Sequence, residues 1–128
     1  MKLIQKGGWH LKIGQLAKET GLSIHTLRYY EKEGILPPVK RNEKGIRIYD
    51  YEDVEWIKFA RCLREAGMGI TEMKKFAQLT QQGEKSKNER INLLRQRNTH
   101  LKNQIKELTR YMELINRKID LYSLSTED

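Results

Sequence analysis

Ser23-Ile24-His25-Thr26-Leu27-Arg28-Tyr29-Tyr30-Glu31-Lys32-Glu33-Gly34-Ile35-Leu36-Pro37-Pro38 reads as one short helix with a marked start and a marked stop. Ser23 is a strong N-cap, because its hydroxyl oxygen can accept from a backbone N–H of the first turn. Gly34 ends the helix and Pro37-Pro38 forbid its continuation, which places it over residues 24–33. Upstream, Ile13-Gly14-Gln15-Leu16-Ala17-Lys18-Glu19-Thr20 carries apolar residues at 13, 16 and 17, a helical spacing. Gly21 suits the left-handed position that closes such a helix. Two helices joined by Gly21-Leu22-Ser23 make a helix-turn-helix pattern. Leu27, Tyr30 and Ile24 form the side expected to pack on the first helix. His25, Arg28, Tyr29 and Lys32 share another face, at i, i+3, i+4 and i+7.

Beyond the prolines lies Val39-Lys40-Arg41-Asn42-Glu43-Lys44-Gly45-Ile46-Arg47-Ile48-Tyr49. Ile46 and Ile48 alternate with Arg47 and Tyr49, the period of a half-buried strand, and residues 42–45 read as a hairpin turn. A two-stranded wing after a helix-turn-helix makes a winged helix. Lys40, Arg41, Lys44 and Arg47 against Glu43 give this wing a charge of +3 within eight residues. Asp50 caps a third helix, 51–66, with Asp53 completing a capping box. Gly67 ends it, and a fourth helix follows over 70–82.

After Gly83 there is no glycine or proline, and residues 84–123 hold a heptad. Its a positions are Ile91, Asn98, Ile105, Met112 and Ile119; its d positions are Leu94, Leu101, Leu108, Ile115 and Tyr122. Nine of these ten are apolar or aromatic, so the helix has a coiled-coil seam. A lone Asn98 at a costs stability and can fix register. In a parallel homodimer Arg90 would face Arg95 and Arg97 would face Lys102 of the partner. Antiparallel pairing sets the basic first half against the more neutral second half, and is favoured. Ile91 to Tyr122 spans about 48 Å at 1.5 Å per residue, a strut that would hold two heads apart with two-fold symmetry. The domain plan is thus an extension at 1–10, a winged helix-turn-helix head at 11–83, a dimerisation helix at 84–123 and a tail at 124–128. The fold class is mainly α.

Composition narrows the function. The chain has 128 residues, 25 Lys and Arg against 17 Asp and Glu, a net charge of +8 and a mean hydropathy of −0.78. Both halves are basic, +5 over residues 1–83 and +3 over 84–128. A polyanion, above all nucleic acid, is the partner such a chain suits. Nothing approaches the roughly 18 apolar residues a membrane span needs, and residues 1–6 lack the apolar core of a secretory signal, so the cytoplasm is expected. Cys62 is the single cysteine. It can form neither an internal disulfide nor a multi-thiolate metal site. No Ser/His/Asp or metal-ligand spacing appears, so no enzyme, metal or cofactor is expected.

An α-helix fits the major groove of duplex DNA, and residues near its N-terminus reach base edges. Arg28 is placed to contact guanine or phosphate, Tyr29 to donate to a phosphate, and His25, Thr26 and Ser23 to approach the bases. The basic wing suits backbone contacts, which position without reading sequence.

The run from Leu27 to Pro38, followed by Gly45-Ile46-Arg47-Ile48-Tyr49, resembles the DNA-binding domain of the MerR family of bacterial transcription regulators. The resemblance covers about Leu11 to Gln82 and then the helix beyond. It implies that Arg28 and Tyr29 sit at the duplex, and that Arg47 and Tyr49 of the wing contact phosphates; Lys40 and Arg41 are placed at the DNA backbone by the wing's basic charge. It implies a homodimer paired through an antiparallel coiled coil. It further implies a promoter whose −35 and −10 elements lie too far apart, bent and untwisted so that RNA polymerase engages both; polymerase is then an indirect partner. Relatives that sense metals carry thiolates near the start of the strut, and this chain has none there. Cys62, within Lys58-Phe59-Ala60-Arg61-Cys62-Leu63-Arg64, resembles the single cysteine of the aldehyde- and thiol-stress-responsive, AdhR- or NmlR-like branch. Cationic neighbours favour the nucleophilic thiolate form of a cysteine in general, so a small electrophile is the implied effector. Two other readings stay open. One is an effector-independent architectural or excisionase-like DNA binder, in which Cys62 is a small buried hydrophobe. The other is a coiled-coil adaptor that binds protein alone.

Overall fold

The computed structural model describes residues 10–125, and the expected extension at 1–10 lies outside the described residues except for His10. Helix α1 is Ile13–Thr20 and helix α2 is Ile24–Lys32. Gly21 between them adopts φ 74°, and its N–H donates to the Ala17 carbonyl at 2.9 Å. That left-handed turn favours glycine. A methyl group there would also lie 2.1 Å from an Arg61 guanidinium nitrogen. The Ser23 hydroxyl caps α2, accepting from the Thr26 N–H at 3.0 Å. At the other end Gly34 and Ile35 donate back to Glu31 and Tyr30, so the helix closes on its own carbonyls.

Strand β1 is Lys40–Arg41 and β2 is Arg47–Ile48, antiparallel, with Lys40 opposite Ile48 and Arg41 opposite Arg47. Asn42 builds the turn: its side-chain carbonyl accepts from the N–H groups of Lys44 and Ile46 at 2.9 and 3.0 Å. The alternation expected in this strand is not kept. Tyr49 is buried, Ile46 is exposed, and Ile48 is half-buried. The reason is a bridge the local pattern does not carry. Leu11, just before α1, pairs with Tyr49, donating and accepting at 2.7 and 2.8 Å. That bridge fixes which side of the strand faces the core.

Helix α3 is Tyr51–Glu65, and α4 is Ile70–Gln81. Asp50 and Asp53 cap α3 reciprocally, at 2.9 and 3.0 Å. Helix α1 packs on α2 and on α3, and α3 packs on α4. The core of this head holds Leu16, Leu27, Tyr30, Val54, Ile57 and Met73. Truncating one of its leucines to alanine costs about 2–5 kcal/mol, a large share of a small domain's stability. Ile24, expected on the packed side of α2, is exposed. Trp56 donates its indole N–H to the Ile35 carbonyl at 2.8 Å and stacks on Phe76 with centroids 5.7 Å apart. The segment after α2 is thereby tied to α3 and α4.

A 3-10 turn at Gly83–Ser86 leads into α5, Lys87–Ser125. The helix runs slightly past the expected end at 123. The chain divides into two units, Met1–Ile91 and Asn92–Asp128, so the division falls after the expected boundary at 83. Ser86 explains the delay. It is buried, its hydroxyl donates to the Leu79 carbonyl, and its oxygen accepts from Arg90 Nε at 3.0 Å. Arg90 also reaches the Gly83 carbonyl at 2.9 Å. The first turn of α5 therefore belongs to the head. In α5 no described residue is buried, and Ile105, Leu108, Met112, Ile115, Ile119 and Tyr122 stand exposed along one stripe.

Candidate nucleic-acid interface

The exposed face of α2 carries His25, Arg28, Tyr29 and Lys32. Leu27 and Tyr30 point the other way and are buried. That split is what presents the polar face. Tyr29 is 41% exposed, whereas its neighbour Tyr30 is 1% exposed, so only the first of the two tyrosines offers a hydroxyl to a ligand. Ser23 and Thr26 are partly occupied. The Ser23 and Thr26 hydroxyls pair at 3.0 Å while Ser23 caps the helix.

The wing residues are not equivalent. Lys40 is ion-paired and hydrogen-bonded to Asp50. That hydrogen bond raises the lysine pKa against the opposing effect of burial. Burial pushes the Asp50 carboxyl up, but the Lys40 ammonium and the Asp53 N–H outweigh it and hold the carboxyl below its ordinary 3.8. Lys40 thus braces the wing to the start of α3. Arg41 donates to the Gly45 carbonyl at 2.8 Å within the hairpin and stays exposed. Arg47 turns toward α2 and pairs through Nε with Glu31 at 3.2 Å. A second tie runs from Glu33 at the end of α2 to Lys74 of α4, at 3.4 Å.

Tyr49 departs from the expected phosphate contact. Its ring fills the core, and among the described residues its buried hydroxyl has no hydrogen-bond partner. Burial first, and the Glu31 charge second, push its phenol above the ordinary 10.0. The Leu11 bridge, the Glu31–Arg47 pair and the Glu33–Lys74 pair join positions far apart in sequence, and no local pattern carries them.

Cys62 lies on α3 with its side chain exposed in the single chain. It borders an open depression of about 520 Å³ lined also by Lys18, Glu19, Lys58, Arg61 and Glu65. Arg61 is directed to the end of α1, where it donates to the Thr20 carbonyl at 3.0 Å. Lys58 lies 4.0 Å from Glu55. Among the described residues no group of three or more His, Cys, Asp or Glu is placed to hold a metal ion. No described helix is long and apolar enough to cross a membrane.

Two turn-linked helices with a basic second face, flanked by a basic hairpin, define a winged helix-turn-helix DNA-binding protein. Residues 11–80 match the family described as MerR HTH family regulatory protein, and residues 54–117 match MerR, DNA binding. The chain belongs to the MerR family of transcriptional regulators. It is 45% identical over 84 residues to the HTH-type transcriptional regulator AdhR of Bacillus subtilis (strain 168), covering 66% of this chain and 60% of that one. The chain therefore matches somewhat less than two thirds of that regulator's length. Among solved structures it resembles HiNmlR, described as a MerR family regulator lacking the sensor domain and bound to promoter DNA. That likeness has a TM-score of 0.80 and 36% identity, over 90% of this chain and 91% of that one. It also resembles a MerR family regulator from Listeria monocytogenes, with a TM-score of 0.82 and 36% identity, over 88% and 86%. These likenesses accord with the AdhR- and NmlR-like branch, and the relatives are transcription regulators rather than enzymes.

Proposed function

We propose that this regulator works in the cytoplasm as a homodimer on a pseudo-palindromic promoter, and activates transcription by bending and untwisting the spacer for RNA polymerase. One observation carries the reading: the chain presents a basic recognition face and, on a separate unit, a long helix with an apolar stripe open to solvent. Six large apolar side chains left wet on one stripe are unfavourable, and a second copy covers them by the heptad geometry. Antiparallel pairing avoids the meeting of Arg97 with Lys102. Arg90, bound to Ser86 and Gly83, drops out of that repulsion argument. Bending the spacer costs a few kcal/mol, which contacts from two heads offset better than contacts from one. The likeness to a relative captured on promoter DNA supports this reading.

The effector proposed is an aldehyde or another small electrophile, and Cys62 is its target. Addition of the thiol to an aldehyde forms one S–C bond and moves the thiol proton to the carbonyl oxygen, giving a hemithioacetal. The exposed side chain and the adjoining depression leave room for such an adduct. The test replaces Cys62 with Ala and measures the target promoter in cells given formaldehyde or methylglyoxal. Loss of induction, with operator binding kept, is the expected result. Full induction by the variant refutes the sensor role.

A further inference from the structure

Glu31 sits in the recognition helix between the buried Tyr30 and the exposed Lys32, on the side that meets the wing. Its two carboxylate oxygens lie 3.2 and 3.4 Å from Arg47 Nε. The pair joins elements sixteen residues apart, and the Glu31 side chain is 23% exposed. A guanidinium presents a fork of donors. When a carboxylate holds the Nε edge, the side chain loses its freedom to swing while its terminal nitrogens remain available. Tyr49, two residues beyond Arg47, is buried beneath this region and feels both charges of the pair.

We propose that Glu31 is a positioning residue for DNA recognition: it buttresses the wing arginine against the recognition helix, so that the terminal guanidinium nitrogens face a backbone phosphate. The inference rests on the reading of Arg47 as a phosphate contact. A negative charge at a DNA-facing surface has two opposite consequences, and they separate cleanly. As a decoy, Glu31 competes with phosphate for Arg47, and its removal tightens binding to every duplex. As a buttress, its removal scatters the Arg47 side chain and weakens binding where the wing is in register. The geometry favours the buttress, because among the described residues Arg47 hydrogen-bonds Glu31 through Nε and not through its outer nitrogens.

The test uses the full chain, a duplex selected from a random pool by the wild-type protein, and a scrambled duplex of equal length. Affinity is followed across a salt series for Arg47→Ala, Glu31→Ala, Glu31→Gln and the double variant Glu31→Ala/Arg47→Ala. Arg47→Ala is expected to weaken binding to the selected duplex roughly tenfold and to lower the salt slope by about one. Glu31→Ala should reproduce most of that loss and most of the slope change, and should add nothing in the Arg47→Ala background. Glu31→Gln keeps an oxygen acceptor at the same place and should restore at least half of the loss on a logarithmic scale. Should Glu31→Ala fail to fold by circular dichroism, Glu31→Gln decides alone, through a loss of about twofold to threefold that vanishes without Arg47. Tighter binding of the Glu31 variants to both duplexes overturns the proposal, as does a loss that adds in full to that of Arg47→Ala. An Arg47→Ala variant with unchanged affinity and slope removes the phosphate contact itself, and the buttress with it.

Discussion

At the residue scale, the wing shows how a count of charges differs from a set of ligands. Four cations against one acid mark the hairpin as basic, yet Lys40 is spent on Asp50 and Arg47 leans on Glu31. The Lys40–Asp50 pair is legible in the sequence only as two charges ten positions apart. Its role, joining strand β1 to the cap of α3, comes from the chain's return. The pair also has a pH signature. The folded-state pKa of Asp50 lies below 3.8, so its contribution to stability is full above pH 3.8 and is lost as pH falls through the folded value. Asp50→Asn keeps a capping oxygen and removes the charge. Because Lys40 is largely exposed, the charge is worth about 0.5–1 kcal/mol together with its place at the helix start. Thermal unfolding should show a gap between wild type and variant from pH 5 to 7 that closes below pH 3.8. A gap independent of pH down to 2.5 contradicts the assignment.

At the scale of elements, the four helices of the head were readable because each carries its own punctuation. Gly21, Ser23, Gly34 and Asp50 act within one turn of where they stand, so their meaning survives without tertiary context. The split of α2 into a buried Leu27–Tyr30 side and an exposed His25–Arg28–Tyr29 side was legible for the same reason. The wing hairpin and its turn were legible too, but the phase of its second strand was not, because a two-residue strand has too little alternation to fix it, and Leu11 arrives from outside the hairpin. The root of α5 was missed likewise: Ser86 is an ordinary polar residue until Leu79 and Arg90 are brought to it. The long helix carries one polar residue in its proposed seam, Asn98. Asn98→Ile should tighten self-association by tenfold or more, about 1.4 kcal/mol, and loosen the register. Sedimentation equilibrium measures the first, and crosslinking between cysteines placed along α5 measures the second. Unchanged association would mean that Asn98 lies outside the paired face.

At the scale of the whole molecule, two heads are proposed to act on one duplex through a shared pair of α5 helices. One short recognition helix reads a few base pairs, and its phosphate contacts are weakened by salt. Doubling the head through a two-fold axis doubles both terms and fixes the spacing of half-sites. The most direct measurement is sedimentation of the 15.2 kDa chain mixed with a labelled duplex bearing its selected site, across a salt series. Two chains per duplex are expected, with a logarithmic salt slope of roughly −5 to −7 from about three or four phosphate contacts per head. A chain that stays monomeric at micromolar concentration and binds one to one, or one that binds no duplex at low ionic strength, contradicts it.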